Sequence, residues 1–285
     1  MEYILITAAK NEEKYIGNTL WSVSIQTRPP KKWIIVSDGS TDQTNDIVSE
    51  YSKKHPFIQL IKRQADSGRN FGSQVAAINF GYSLIKDLKL DLIGNLDADV
   101  SFGPDYFETV MNNFSSNPRL GLSGGWIQEE KNGVFQDRPF NSMKSVPHAV
   151  QLFRRECFEK IEGYHPMPYG GSDTLAEIMV RMNGWEVKPM RELKVAHLKP
   201  TNSAEGLIRA AWRQGQMDRS MGTHPVFEIA RIARRIPERP FGIYALTRFC
   251  SFVSAILLGK KPSVTEQLLR FLRKEQVLAL FPFRR

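Results

Sequence analysis

Two carboxylates lie two residues apart at Asp97 and Asp99, directly after the apolar run from Leu92 to Leu96. A short apolar run of this kind predicts a buried strand, and open α/β sheets bind ligands beyond the carboxyl ends of their strands. Adjacent carboxylates repel each other there unless a cation or a hydrogen-bond donor compensates their charge. Carboxylate oxygens suit hard divalent cations such as Mn²⁺ or Mg²⁺, which usually act beside a phosphate group. The pair therefore predicts a metal site, and a solvated acidic loop is the alternative.

A second cluster of polar residues has the sequence DGSTD at positions 38–42 and follows the apolar segment Trp33–Val36. It predicts a strand-to-helix turn, where free backbone N–H groups can receive an anion. At such a turn Asp38 can accept hydrogen bonds from a nucleotide base or a ribose. The alternative is an ordinary turn in which an aspartate caps the following helix.

Two single residues complete the set of candidate groups. Asp173 follows a Gly-Gly-Ser segment and precedes a helical pattern, so it is either a general base or only a helix cap. His197 ends a strand-like segment, and it can become a metal ligand only where the fold brings it to Asp99. The loop at residues 68–72 (GRNFG) resembles a phosphate loop but lacks the P-loop and dinucleotide-binding patterns.

The elements that would position these groups alternate between strand and helix over the first hundred residues. This alternation predicts an α/β fold with a mostly parallel sheet covered by helices on both faces. The predicted strands are Ile4–Thr7, Trp33–Val36, Phe57–Ile61 and Leu90–Leu96, and the predicted helices include Glu12–Ile25 and Val75–Leu88. Farther along, Tyr106–Phe114 and Gln151–Ile161 have helical patterns, and the Gly- and Pro-rich segment 121–147 predicts irregular strands and a long loop.

The net charge of +9 is concentrated at the end of the chain. Residues 226–285 hold twelve basic and four acidic residues, so this segment alone carries +8. Its apolar residues recur at helical spacing, which predicts a basic amphipathic extension. Such helices either lie on an anionic membrane surface or pack on the catalytic domain or on a second subunit. The segment has no nucleic-acid-binding motif, so no nucleic-acid partner is expected.

Other features of the sequence favour a cytoplasmic protein, either free or peripheral at the inner face of the membrane. The two cysteines, Cys157 and Cys250, show no metal-ligand or redox spacing and are expected to be reduced. The longest apolar run, Phe249 to Leu258, is much shorter than the roughly 20 residues of a membrane span. The first residues also lack the features of a signal peptide.

Taken in order, these motifs resemble an inverting family-2 glycosyltransferase with the GT-A fold, over roughly residues 3–222. The motifs that carry the resemblance are Ile6–Glu13, residues 38–42, Asn70 with Asn79–Gly81, Leu96–Asp99, Gly163 with Tyr164, Asp173 with Arg181, and His197. The resemblance implies a GT-A catalytic domain over residues 1–225, with a nucleotide-binding half (1–100) and an acceptor half (101–225). Residues 226–285 are then the helical extension.

The resemblance also assigns a role to each candidate residue. Nucleotide binding would fall to Ala8, Glu12, Asp38 and Asp97, and Arg69 would neutralise the diphosphate. Asp99 and His197 would be ligands of the divalent metal, and Asp173 would deprotonate the acceptor hydroxyl. The family often has Glu-Asp at the base motif, whereas Ser172 precedes Asp173 here.

The expected activity is metal-dependent transfer of a sugar from a nucleotide-diphosphate donor to a carbohydrate or lipid-linked acceptor, in polysaccharide or glycoconjugate biosynthesis. A sugar-phosphate nucleotidyltransferase is the principal alternative, because it shares the fold type and the need for a metal. That class usually has a Gly-rich loop after the first strand, where this chain has Ala8, Ala9 and Lys10. A glycosidase would also use two carboxylates but needs no nucleotide pocket.

Overall fold

The computed structural model describes residues 1–64, 71–139, 141–199, 206–236 and 242–281 of the 285-residue chain. Its strands are β1 (Tyr3–Ala9), β2 (Lys32–Asp38), β3 (Ile58–Arg63), β4 (Leu92–Leu96), β5 (Val100–Phe102), β6 (Leu120–Lys131), β7 (Val134–Asp137), β8 (Val150–Arg154) and β9 (Glu186–His197). Its helices are α1 (Ile16–Ser24), α2 (Thr44–Lys54), α3 (Phe71–Ser83), α4 (Tyr106–Ser116), α5 (Arg155–Lys160), α6 (Ser172–Met182), α7 (Leu207–Met221), α8 (Pro225–Ala233), α9 (Ile243–Leu257) and α10 (Glu266–Leu280). The alternation of strands and helices expected for the first hundred residues is confirmed.

One sheet contains all nine strands of the described residues, in the order β3-β2-β1-β4-β8-β6-β9-β5, with β7 paired to β6. The first four strands along this order are parallel, so the carboxyl ends of β2, β1 and β4 meet at one edge. From β8 onward the sheet is mixed, since β8 is antiparallel to β4 and β5 is antiparallel to β9. The α/β architecture expected from the sequence is thus confirmed, with antiparallel pairs added in its second half.

Apolar residues on alternate sides of the parallel strands explain why helices cover both faces of the sheet. Tyr3 and Leu5 of β1 belong to the core that α1 and α4 close. On the other face, a Cβ added to Gly81 of α3 would come within 2.7 Å of Ile6. Because both faces of these strands are buried, they are continuous apolar runs rather than alternating ones.

The segment 151–161, for which the sequence predicts a helix, is partly a strand. Residues Val150–Arg154 form β8 and pair along β4, and the helix α5 begins only at Arg155. The apolar residues Leu152 and Phe153 fit helical spacing with Cys157 and Phe158, which made the local pattern ambiguous. Pairing with the edge of β4 decided the conformation, because tertiary context overrides weak local propensity.

The Gly-rich segment after residue 120 contains a longer strand than the expected irregular pieces. The twelve-residue strand β6 has register shifts against β9 between Leu120 and Leu122 and between Gly124 and Trp126. A Cβ at Gly124 would lie 2.2 Å from the carbonyl oxygen of Val150. This glycine therefore permits the close approach of β6 to β8, while the shifts confirm that the strand is irregular.

Contacts divide the chain into two compact units. The first comprises residues 1–165 and 179–200, and the second comprises residues 166–178 and 201–285. Helix α7 thus belongs with α8, α9 and α10, and the boundary at residue 225 between a catalytic domain and an extension stays a prediction. Among the described residues no helix combines the length and the apolar character needed to cross a membrane.

A buried ionic cluster joins α7, α8 and α9 within the second unit. The guanidinium of Arg248 lies 2.6 Å from Asp218 and 3.1 Å from Glu228, and all three side chains are almost completely buried. Arg231 also pairs with both carboxylates. Burial, followed by the charge of Asp218, raises the pKa of Glu228 despite these cations. The cluster satisfies charges that would otherwise be costly inside the unit.

Candidate active site

The structure brings Asp97, Asp99 and His197 together in the first unit. One ligand atom from each residue lies within 4.8 Å of the others. Asp99 Oδ1 lies 3.5 Å from His197 Nε2. Two carboxylates and an imidazole form a suitable donor set for Mn²⁺ or Mg²⁺.

Sheet pairing explains how residues so far apart in the chain meet. Asp97 follows the last residue of β4, and Asp99 precedes the first residue of β5. In the antiparallel pair of β5 and β9, Val100 lies opposite His197, and the N–H of Leu198 donates to the Asp99 carbonyl at 2.8 Å. The same histidine lies opposite Glu129 in the pairing of β6 with β9.

Asp99 has a buried carboxylate oxygen to which no described residue donates a hydrogen bond, although the His197 ring lies 3.5 Å from it. Asp99 is only 8% exposed, and its Oδ1 has no hydrogen-bond partner among the described residues. A buried carboxylate oxygen without a partner is costly unless a cation or an ordered donor compensates it. This orphaned atom, with the hard-donor chemistry of the set, fits a divalent cation.

The acidic surroundings also change the protonation of His197. Burial by itself lowers the pKa of this histidine, but Asp99, Glu129 and Asp97 together raise it to about 10. The Nδ1 atom lies 3.7 Å from a Glu129 carboxylate oxygen. The cluster therefore attracts positive charge strongly, and a metal ion would take the place of the proton.

Asp97 has two neighbours that the sequence did not indicate. His148 Nδ1 lies 3.3 Å from Asp97 Oδ1, and Gln74 donates a hydrogen bond to the same oxygen at 3.4 Å. Burial raises the pKa of Asp97, but the charge and hydrogen bond of His148 outweigh that effect, so the pKa is lowered. Asn95 donates to the His148 carbonyl at 2.7 Å and thereby holds the segment that precedes β8.

Glu12 lies after β1 and forms an ion pair with Lys199, a residue 187 positions farther along the chain. Lys199 Nζ donates to Glu12 Oε1 at 2.7 Å, and the Glu12 backbone N–H donates to Thr44 at 2.8 Å. Burial raises the pKa of Glu12. The charges of Asp99 and Asp97 raise it further, whereas Lys199 lowers it. Glu12 therefore belongs to the same electrostatic neighbourhood as the acidic pair.

Asp38 ends β2 and is buried beside the end of β3. Its Oδ1 lies 3.8 Å from Arg63 Nε and accepts no hydrogen bond among the described residues. The loop after it is held against the loop after β1, because Asn11 accepts a hydrogen bond from the Thr41 N–H at 2.8 Å. Asp42 accepts one at 3.0 Å from the N–H of Thr44, the first residue of α2.

The remaining predicted residues are placed as follows. Ala8 is half-buried in β1 and pairs with Val36 of β2. Asp173 lies in the first turn of α6 and belongs to the second compact unit, so its role as the base stays a prediction. Arg69 lies outside the described residues, and its assignment to the diphosphate stays a prediction as well.

Sequence reasoning missed the partners Arg63, His148 and Lys199. Arg63 carried a usable signal, because it ends β3 just as Asp38 ends the neighbouring strand β2. Lys199 follows His197 by two residues, so it could have been grouped with the predicted metal ligand. His148 precedes a segment that was expected to be helical, and this wrong expectation hid its position beside β4.

The sequence matches the family described as glycosyl transferase family 2 over residues 4–168. This match covers more than half of the chain and includes Ala8, Glu12, Asp38, Asp97 and Asp99. The chain therefore belongs to glycosyl transferase family 2, which supports the expected glycosyltransferase over the nucleotidyltransferase alternative.

Curated relatives match a shorter region. The poly-beta-1,6-N-acetyl-D-glucosamine synthase of Staphylococcus epidermidis is 32% identical over 120 residues, which are 42% of this chain and 27% of that protein. The beta-monoglucosyldiacylglycerol synthase of Synechocystis is 30% identical over 120 residues, which are 41% of this chain and 23% of that protein. The chain thus spans only about a quarter of the length of these relatives.

Solved structures show the same fold over nearly the whole chain. The mannosyltransferase PcManGT of Pyrobaculum calidifontis, in complex with GDP-Man and Mn²⁺, has a TM-score of 0.59 and 17% identity, covering 99% of this chain and 82% of its own. Residues 1–349 of TarS from S. aureus, in complex with UDP-GlcNAc, have a TM-score of 0.56 and 14% identity. The match covers 98% of this chain and 81% of the TarS chain. The expected GT-A fold is thereby confirmed.

Proposed function

We propose that this chain transfers a sugar from a nucleotide-diphosphate donor to an acceptor hydroxyl, with inversion at the anomeric carbon. The observation that carries the proposal is the cluster of Asp97, Asp99 and His197 at the carboxyl end of β4, with its orphaned Asp99 oxygen. In open α/β sheets this edge is where nucleotides bind. In this proposal Asp99 and His197 hold the divalent cation.

The same edge of the sheet supplies the proposed nucleotide pocket. The ends of β1, β2 and β4 contribute Ala8, Glu12, Asp38 and Asp97, and β1 lies between the other two strands. Asp38, whose Oδ1 accepts no hydrogen bond among the described residues, would accept from the base, and Asp97 would lie near the ribose or reach the cation through water. Arg69 would add a positive charge at the diphosphate.

The chemistry needs charge neutralisation at the donor and a base at the acceptor. A bound divalent cation acts as a Lewis acid and offsets the charge of the nucleoside diphosphate leaving group. Asp173 would accept the proton of the acceptor hydroxyl as the new glycosidic bond forms. Because the hydroxyl attacks from the face opposite the leaving group, a single carboxylate base suffices and no covalent intermediate is needed.

The choice of donor and acceptor follows from the relatives. PcManGT was solved with GDP-Man, and TarS with UDP-GlcNAc, so UDP- and GDP-sugars are the donors to test first. The relatives in the curated set make a polysaccharide or a glycolipid, which supports a carbohydrate or lipid-linked acceptor. In this proposal the protein works in polysaccharide or glycoconjugate biosynthesis from the cytoplasm.

The donor proposal predicts metal-dependent thermal stabilisation. One UDP- or GDP-sugar should raise the unfolding temperature in the presence of Mn²⁺ and should lose most of that effect when the metal is removed. A ligand at 100 times its Kd stabilises the folded state by about 2.7 kcal/mol. Differential scanning fluorimetry measures the unfolding temperature with each nucleotide-sugar, with and without Mn²⁺. A series of nucleoside triphosphates serves as the control. Stabilisation that is independent of metal for every nucleotide-sugar would contradict the proposal.

We also propose that α9 rests on an anionic membrane surface. Leu246, Leu257 and Leu258 are 62%, 81% and 73% exposed, and two lysines follow directly at Lys260 and Lys261. Burying a leucine contributes about 1.5–3 kcal/mol, and each basic residue near an anionic leaflet contributes about 1 kcal/mol. Apolar residues beside positive charge are complementary to that surface.

Vesicle binding tests this surface without removing a helix. Removing residues after 223 would expose the side of α7 that packs on α9, so point variants of Leu257 and Leu258 to Gln are the better choice. This double variant should bind phosphatidylglycerol vesicles at least tenfold more weakly in co-sedimentation. Met143→Gln is the matched control, since Met143 is also exposed (59%) but lies in the first unit. Equal binding by all three proteins, or none by the wild type at low salt, would reject the membrane surface.

A further inference from the structure

A cavity of about 280 Å³ within the second compact unit is lined by several cations. Arg219 of α7 and Lys260 and Lys261, which follow α9, contribute the positive charges. Tyr169, Gln216 and Ser220 contribute neutral polar groups, and no acidic residue of the described part of the chain is part of the lining. Its volume lies near the lower end of the range for small-ligand pockets, about 300–1,000 Å³, so it suits a small group.

The carboxylates of the described residues do not neutralise the positive charges of this cavity. Among the described residues no carboxylate forms an ion pair with Arg219, Lys260 or Lys261. The nearby buried carboxylates, Asp218 and Glu228, are already occupied by Arg231 and Arg248. Burial, together with the charge of Arg273, lowers the pKa of Arg219, which is the expected effect of crowding cations without an anion.

Hydrogen bonds hold two of these cations, Lys260 and Arg219, in position. Lys260 Nζ donates to Gln216 Oε1 at 2.8 Å and to the Tyr169 hydroxyl at 3.1 Å. Gln216 is itself fixed, because its Nε2 donates to the backbone and side-chain oxygens of Ser251, both at 2.9 Å. Arg219 Nε donates to the Lys260 carbonyl at 2.7 Å, which ties α7 to the segment after α9. Groups held in this way lose little entropy when an anion binds.

We propose that this cavity binds a phosphate or diphosphate group. Guanidinium and ammonium groups form charge-assisted hydrogen bonds with phosphate oxygens, and a guanidinium can do so through two parallel bonds. Tyr169 in the lining precedes the candidate base Asp173 by four residues, in the same compact unit. The group therefore belongs to the acceptor, as a lipid diphosphate or a soluble phosphate, and this last step rests on the proposed function.

Calorimetry with inorganic pyrophosphate tests the cavity. The full chain is titrated in metal-depleted buffer, so that the acidic cluster in the first unit does not capture the probe through a metal. Wild-type protein should bind pyrophosphate saturably, and Arg219→Gln and Lys261→Ala should each raise its Kd about tenfold or more. Lys274→Ala removes the same charge from an exposed position of α10 outside the lining, and it should change the Kd less than twofold.

Two further measurements separate the possible outcomes. Geranyl diphosphate should bind more tightly than pyrophosphate where the natural group is carried by a lipid, whereas equal Kd values indicate a soluble phosphate. No saturable binding by the wild type, or unchanged Kd values in both Arg219→Gln and Lys261→Ala, would overturn the proposal. The same variants should keep the metal-dependent nucleotide binding of the wild type. Loss of that binding in the wild type itself would reject the proposed function and leave the anion result standing.

Discussion

Replacing Asp99 by alanine should abolish glycosyl transfer and weaken Mn²⁺-dependent nucleotide binding by on the order of 100-fold or more. Even outer-sphere partners of metal ligands cost about 10- to 100-fold in affinity or activity, and Asp99 is proposed as a direct ligand. Its Oδ1 accepts no hydrogen bond among the described residues, so this atom is available to the cation. Calorimetry with UDP and GDP in the presence of Mn²⁺, beside a donor-consumption assay, gives both quantities.

Two companion variants make the Asp99 result interpretable. Asp99→Asn preserves the shape of the side chain but removes its charge, so it should lose the same binding even where the alanine variant unfolds. Asp87→Ala removes an exposed carboxylate at the end of the segment after α3, and it should behave as the wild type. Unchanged Mn²⁺-dependent binding in both Asp99 variants would show that the metal is held elsewhere.

Replacing Asp173 by asparagine should leave donor binding intact and lower the transfer rate by about 10² to 10⁴, the usual contribution of a general base. The amide has the size of the carboxylate but cannot accept the proton of the acceptor hydroxyl. Asp173 lies in the first turn of α6, where a carboxylate also favours the helix, so a small loss of stability is expected. Single-turnover rates and donor affinity should be measured on the same preparation.

Glu177 provides the comparison for the Asp173 variant. It lies one helical turn farther along α6 and is almost fully buried at 4% exposure. Because burial limits its access to an acceptor, Glu177→Gln should change the transfer rate much less than Asp173→Asn. A rate within a few-fold of the wild type for Asp173→Asn, with a large loss for Glu177→Gln, would transfer the role of the base to Glu177.

Local pattern was enough to predict the elements that hold the proposed donor side of the site. The apolar runs before Asp38 and before Asp97 are strands because continuous apolar residues of that length must be buried on both faces. Polar residues at their ends therefore meet at one edge once the strands pair in parallel. The order of the motifs then identified the family, which the match over residues 4–168 confirms.

Long-range pairing could not be predicted in the same way. The segment 151–154 fits a helix by spacing and is a strand only because β4 offers an unpaired edge. The contact between Glu12 and Lys199, and that between Asp97 and His148, depend on segments that are distant in the chain. No residue pattern near either partner specifies such a contact, since many registers satisfy the same local preferences.

The sequence by itself determined the strands and helices of the parallel half of the sheet, the acidic pair at a strand end and the excess of positive charge near the chain's end, because each depends only on neighbouring residues. The tertiary structure decided that His197 reaches Asp99, through the register in which β5 pairs with β9. It also decided that Arg219, Lys260 and Lys261 share one cavity, to whose lining the described residues contribute no acid. Charges act through space, so the effect of a charged side chain depends on which residues folding places beside it.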